Sequence, residues 1–294
     1  MTQPVTADQR PSWLLTFSCI DRVGIVAAVS GYLAERDGFI LDSQQFADLE
    51  SGRFFMRVLF KGAGLRFVDD AAQLQADFAE IAARFDLDFH LAPEAQKRRI
   101  VVAVSKGNHC LADLLHRWSS RTLAVDIAAI VSNHETCRAL AEWHGVPYHY
   151  LPVDDGNRPE QEAAIRAIMA ESGSELLVLA RYMQVLSADM TAALDGHCIN
   201  IHHSFLPSFK GSKPYHRAHQ RGVKLIGATA HFVTSDLDEG PIVEQGVERV
   251  DHRATVADMI RIGRDIESRV LARAVGLWGE RRLFLNGNRT VVFG

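Results

Sequence analysis

Asn200-Ile201-His202 closes an apolar run, and Leu237-Asp238-Glu239-Gly240-Pro241 forms a turn further along the chain. On a strand, residues two apart project to the same face, so Asn200 and His202 point together while Ile201 packs behind them. A side-chain amide and an imidazole on one face can both donate to a single developing oxyanion. Asp238, carried in by the later turn, would hold the imidazolium and orient a water. The combination suits attack on a small carbonyl such as a formyl group. Each residue also has a plainer role, Asn200 and His202 as a polar pair at a sheet end and Asp238 as a turn former. Strict alternation sends His203 to the opposite face, to pack or to hydrogen-bond.

Two other chemistries fit these residues less well. Ser204 as a hydrolytic nucleophile would need a strand–G-x-S-x-G–helix turn, which is missing around it. A metal held by His202, His203 and Asp238 would need convergent imidazoles, whereas adjacent strand histidines diverge and no H-x-H or H-x-x-x-H pair is nearby. The expected metal content is none.

The elements that position these residues follow from periodicity. Strands are expected at 12–18, 38–48, 53–60 and 86–91, with helices at 23–36 and 68–85, giving a βαββαβ ferredoxin-like unit over 1–92. Residues 93–98 read as a linker. Arg99-Ile100-Val101-Val102-Ala103-Val104 is the continuous apolar strand of a parallel sheet covered on both faces. Strands near 125–131, 147–151, 176–181 and 197–201 alternate with helices near 110–118, 135–144, 160–171 and 187–194. Strands at 225–233 and 241–249 and a long helix over 254–278 follow. The fold class is α/β, with a doubly wound, mostly parallel, Rossmann-like domain over 99–294 after the smaller one. Ligands of such sheets bind beyond the carboxyl ends of the strands, where the Asn200 and Asp238 segments fall.

The chain has 294 residues, 47% of them hydrophobic and 23% charged, which supplies two cores. A net charge of −4 gives no whole-chain attraction to nucleic acid or anionic membrane, and neither is an expected partner. No apolar run approaches the ~18 residues of a membrane span. The polar start, MTQPVTADQR, lacks a signal-peptide core. Cys19, Cys110, Cys137 and Cys198 are spread through apolar patterns without pairing motifs, as expected of reduced core thiols in a cytoplasmic protein. The basic stretch from Lys210 to Lys224 reads as a solvated helix face or as a contact for the carboxylate tail of a ligand.

Three ordered segments resemble the folate-dependent formyltransferases: Arg181-Tyr182-Met183-Gln184-Val185-Leu186-Ser187, Asn200-Ile201-His202-His203-Ser204-Phe205-Leu206-Pro207 and Thr234-Ser235-Asp236-Leu237-Asp238-Glu239-Gly240-Pro241. The likeness spans about residues 99–282. It implies 10-formyltetrahydrofolate as substrate, with no separate cofactor. By the same resemblance Asn200 and His202 bind the formyl oxygen, and Asp238 fixes a water and assists proton transfer. Backbone at Met183, Gln184 and Val185, with Val233 and Thr234, would hold the pterin edge, and Leu179 and Leu186 would wall the pocket. Purine-pathway members cradle a phosphorylated amine on a glycine-rich loop, but Ser105-Lys106-Gly107-Asn108-His109-Cys110-Leu111 keeps one glycine. The RNA-acting members add a C-terminal barrel, and the sequence gives no sign of one. With neither acceptor accommodated, water is expected to take the formyl group, releasing formate for one-carbon and purine metabolism. Transfer to an unidentified amine is the alternative.

Leu15-Thr16-Phe17-Ser18-Cys19-Ile20-Asp21-Arg22-Val23-Gly24-Ile25-Val26 is similar to the start of ACT domains, which bind small ligands and commonly pair across subunits. The similarity implies an amino-acid effector near Asp21 and Gly24 and a homo-oligomer. Gly24 would let the strand-to-helix turn approach a ligand, and Asp21 is expected to cap the helix.

Overall fold

Leu14 to Phe17 are apolar or β-branched on both faces and are buried, so they lie mid-sheet in β1 (Ser12–Ile20). The computed structural model describes residues 10–154, 156–206 and 214–294. The chain divides into two compact units.

In the first unit β1 is followed by α1 (Ile25–Glu35), β2 (Gly38–Asp48), β3 (Arg53–Gly62), α2 (Ala71–Phe85) and β4 (Asp88–Pro93). This is the expected βαββαβ order. The sheet runs β2-β3-β1-β4, every neighbouring pair antiparallel. α2 shows how sequence sets an element. The Asp70 side chain accepts from Gln73 N–H at 2.8 Å to cap it, and Leu74, Phe78, Ala82 and Phe85 form its buried stripe. Asp86, in the left-handed region at φ 55°, ends it, so β4 starts at Asp88 rather than at 86.

One expectation fails in this unit. Asp21 does not cap α1: the N-cap is Gly24, at φ 98°, with no side-chain hydrogen bond. The left-handed turn brings the Gly24 carbonyl to Ala28 N–H at 2.9 Å, while Asp21 N–H donates to the Gly52 carbonyl at 2.8 Å.

The second unit carries β5 (Arg98–Val104), α3 (His109–Ser119), β6 (Val125–Ser132), α4 (Arg138–Trp143), β7 (Tyr148–Tyr150), α5 (Arg158–Ser172) and β8 (Leu176–Leu179). These are followed by α6 (Ala188–Ala193), β9 (Cys198–His202), α7 (Pro214–Gln220), β10 (Leu225–Phe232), β11 (Ile242–Arg249) and α8 (Val256–Gly279). The sheet order is β11-β10-β9-β8-β5-β6-β7. β9 through β7 are parallel, and β10 and β11 add an antiparallel edge. β5 is central, and Ile100 to Val104 are fully buried, as a strand covered on both faces requires. The chain winds from β5 through β6 to β7, then returns to β8 and β9 on the other side. That reversal is the topological switch point where such sheets bind ligands. α8 is set by a capping box between Thr255 and Asp258.

The end of the chain departs from the expected single domain over 99–294. Arg281–Asn286 and Val291–Gly294 group with the first unit. There β12 (Leu283–Asn286) brings Asn286 Nδ2 to donate to Asp48 Oδ2 at 2.6 Å, and the Phe284 ring meets Phe55 edge-on at 5.7 Å. All four cysteines are free and buried, and no helix among the described residues is long and apolar enough to cross a membrane.

Candidate active site

β9 ends at His202, and Asn200 and His202 are its two part-buried residues, with Ile201 buried between them. β10 runs antiparallel beside it and pairs His231 with Asn200. The loop after β10 returns Asp238, at φ 59°, to these side chains. Its path depends on Gly240, where an added Cβ would lie 1.9 Å from the Phe232 carbonyl oxygen.

The polar groups converge. His202 Nδ1 lies 3.2 Å from Asp238 Oδ1 and donates to it. His231 Nδ1 donates to the Phe232 carbonyl at 2.8 Å, which turns its Nε2 toward Asn200 Nδ2 at 3.3 Å and Asp238 Oδ1 at 3.6 Å. Hydrogen bonds from His202 and then His231 hold the Asp238 carboxyl well below the usual carboxylate range, outweighing burial. Asp238 therefore stays ionised at any physiological pH. One hydrogen of the Asn200 amide lies toward His231 Nε2, leaving the other free to donate.

These residues border a cavity of about 360 Å³. Leu179, at the end of β8, lines it together with Met183, Gln184, Val185 and Leu186. Val233 and Thr234 line it from the β10–β11 loop. All the residues expected around the folate thus share one cavity with Asn200, His202 and Asp238. The wall from Met183 to Leu186 is pinned at both ends. Ser105 Oγ accepts from Met183 N–H at 2.9 Å and donates to Asn133 Oδ1 at 2.7 Å. Glu162, buried on α5, accepts from Ser187 N–H at 2.7 Å and from its hydroxyl. Asp21 and Gly24 lie in the first unit, at the exposed turn between β1 and α1. Pro207 and Lys210–Lys213 lie outside the described residues, while 214–220 of the basic stretch form α7.

Two features were not foreseen. His231 is 31 residues from Asn200 along the chain, and only the antiparallel pairing of β9 with β10 sets the two side by side. His203 is not on the opposite face. The strand ends at His202, alternation stops, and the His203 ring stacks on His202 at 4.8 Å and 25° and lines the same cavity. Its Nδ1 accepts from Arg181 Nη1 at 3.0 Å, so the expected hydrogen bond is present.

Among the described residues, His109, Cys110 and Glu267 offer a possible cation ligand set. The donor chemistry does not suit a cation. Glu267 already accepts from His109 and Tyr215 and pairs with Arg181, a cation that would repel a metal ion at the same oxygen.

Residues 98–275 match the formyl transferase family model. A formyltetrahydrofolate deformylase of Corynebacterium sp. is 47% identical over 95% of this chain and 97% of its own length. The crystal structure of a formyltetrahydrofolate deformylase from Burkholderia mallei superposes with a TM-score of 0.92 at 49% identity, covering 97% of this chain and all of that one. Glycinamide ribonucleotide transformylase 1 from Symbiobacterium toebii matches 67% of this chain and 94% of its own, at 30% identity and a TM-score of 0.62. Identity that runs through both units, and not only through the shared transferase fold, places the chain in the formyltetrahydrofolate deformylase family.

Proposed function

We propose that this protein hydrolyses 10-formyltetrahydrofolate to formate and tetrahydrofolate in the cavity of its second unit. The observation that carries this is the tie from His202 Nδ1 to the ionised Asp238 beside Asn200, all three lining one cavity. The backbone at Met183–Val185 and the Val233–Thr234 segment hold the pterin edge. The free Asn200 N–H and His202 Nε2 donate to the formyl oxygen as negative charge develops on it. Asp238 holds the attacking water. The water oxygen bonds to the formyl carbon and gives up a proton, the folate nitrogen takes one up, and its bond to that carbon breaks, releasing formate and tetrahydrofolate.

The test is formate release from 10-formyltetrahydrofolate with no amine present. Steady release that is lost in Asp238→Asn supports hydrolysis. Folate binding without release overturns it and points to an amine acceptor.

The first unit's β2-β3-β1-β4 sheet supports an ACT-type regulatory role, with a small ligand such as an amino acid at the Asp21–Gly24 turn of a homo-oligomer. Calorimetric titration with the twenty amino acids tests it, and no binding by any of them would remove the effector role. The buried free thiols suit a cytoplasmic location.

A further inference from the structure

Glu267 is 2% exposed, yet the hydrolysis outlined above gives it nothing to do. It is the centre of a network. His109 Nε2 donates to Glu267 Oε2 at 2.7 Å, Arg181 Nε lies 3.4 Å from the same oxygen, and the Tyr215 hydroxyl donates to Oε1 at 3.1 Å. Burial alone would raise the Glu267 pKa, but His109, Arg181 and Tyr215 outweigh it and hold the group ionised. Room for Tyr215 comes from Gly263, one turn earlier on α8, where an added Cβ would lie 1.9 Å from the Tyr215 hydroxyl. Arg181 itself is held at φ 64°, a conformation that arginine adopts only where its surroundings enforce it.

The network reaches His203 through Arg181 and through the Tyr215 ring, whose centroid lies 6.5 Å from that of His203. A guanidinium has donors only, so the His203 nitrogen facing Arg181 Nη1 at 3.0 Å must accept. That fixes the orientation of the ring, which lies against His202 at 4.8 Å. Arg181 and His203 both line the cavity, while Glu267, His109 and Tyr215 lie behind them. Moving Arg181 aside would leave a buried carboxylate short of a partner, which is costly, and Arg181 in turn holds His203.

We propose that the Glu267–Arg181 network holds His203 flat against His202 to close that side of the reaction centre to amines, leaving water as the only nucleophile that reaches the formyl carbon. The inference rests on the hydrolysis reading. It makes His203 a specificity-determining residue and Glu267 a positioning residue that acts through Arg181.

The test is competition between water and glycinamide for the formyl group, read as the ratio of N-formylglycinamide to formate. In transfer, the glycinamide nitrogen bonds to the formyl carbon and gives up a proton, and the protonated folate nitrogen leaves. Because both products come from the same enzyme molecules, the ratio does not depend on how much protein is folded. In the wild type the ratio stays at the uncatalysed background. In His203→Ala and in Glu267→Gln it rises by about tenfold or more. If Glu267→Gln does not fold, His203→Ala, which trims a part-exposed ring, decides alone. A ratio unchanged in His203→Ala overturns the proposal. So does loss of both products with folate binding retained, since His203 would then serve the chemistry. A wild type that releases no formate strikes the hydrolysis reading instead, so the two failures are distinguishable.

Discussion

Burial, then the Arg181 charge and then His202 push the His203 pKa down to about 4, against the attraction of Glu267 and Asp238. An ordinary histidine, near 6.5, is almost fully charged at pH 5. His203 in the folded protein is mostly neutral there, whereas the unfolded chain takes the proton. The unfolded state therefore binds more protons between about pH 6.5 and 4, and stability rises with pH across that window. Stability from this group is fully present above about pH 6.5 and is lost as pH falls toward 4. Between pH 7 and pH 5 the loss is about 2 kcal/mol. Two measurements check it. Ring nitrogen shifts in histidine-labelled protein, assigned with His203→Gln, should show His203 neutral at pH 5. Denaturant unfolding of His203→Gln should lose about 2 kcal/mol less than the wild type between pH 7 and pH 5. A ring that titrates near 6.5, or a pH dependence unchanged in the variant, would refute the argument that Arg181 and burial keep this imidazole neutral.

Three further outcomes follow from the geometry. Asn200→Ala and Asp238→Asn should each lower kcat on the order of 10²–10³ while the fold survives, and near-normal turnover in either would remove that residue from the mechanism. Gly240→Ala should cost about 1–3 kcal/mol in thermal unfolding, because the new Cβ meets the Phe232 carbonyl, and kcat should fall with it as Asp238 is displaced. Glu162→Gln loosens its hold on Ser187 and so on one end of the Met183–Leu186 wall. Steady-state kinetics should show KM rising several-fold with kcat little changed, and a pure kcat loss would contradict a wall-positioning role.

Much of this architecture is legible in the residues because short-range rules control it. β5 is a run of buried apolar residues, α2 carries its own cap and stripe, and Asn200 and His202 share a face by strand period alone. The failures begin where a local rule runs out. Asp21 looked like a cap, but the left-handed Gly24 carries the chain into α1 without a side-chain cap. Four-residue β12 is too short for its periodicity to announce a return to the first unit.

The site shows the same division. Asp238 was legible only as a member of an ordered motif, since no spacing rule brings a turn residue back to a strand end. His231 depends on β9–β10 register, which a single sequence does not state. The network behind His203 is harder still. Arg181, Glu267, His109 and Tyr215 come from four separate segments and meet only when α8 packs against α3 and α7. What a sequence does carry is the cost of such an arrangement. A glutamate inside the apolar stripe of a long helix, four residues after a glycine, has no reason to be buried unless cations and donors await it. Glu267 and Gly263 therefore mark the network in the sequence, even though its partners cannot be named from it.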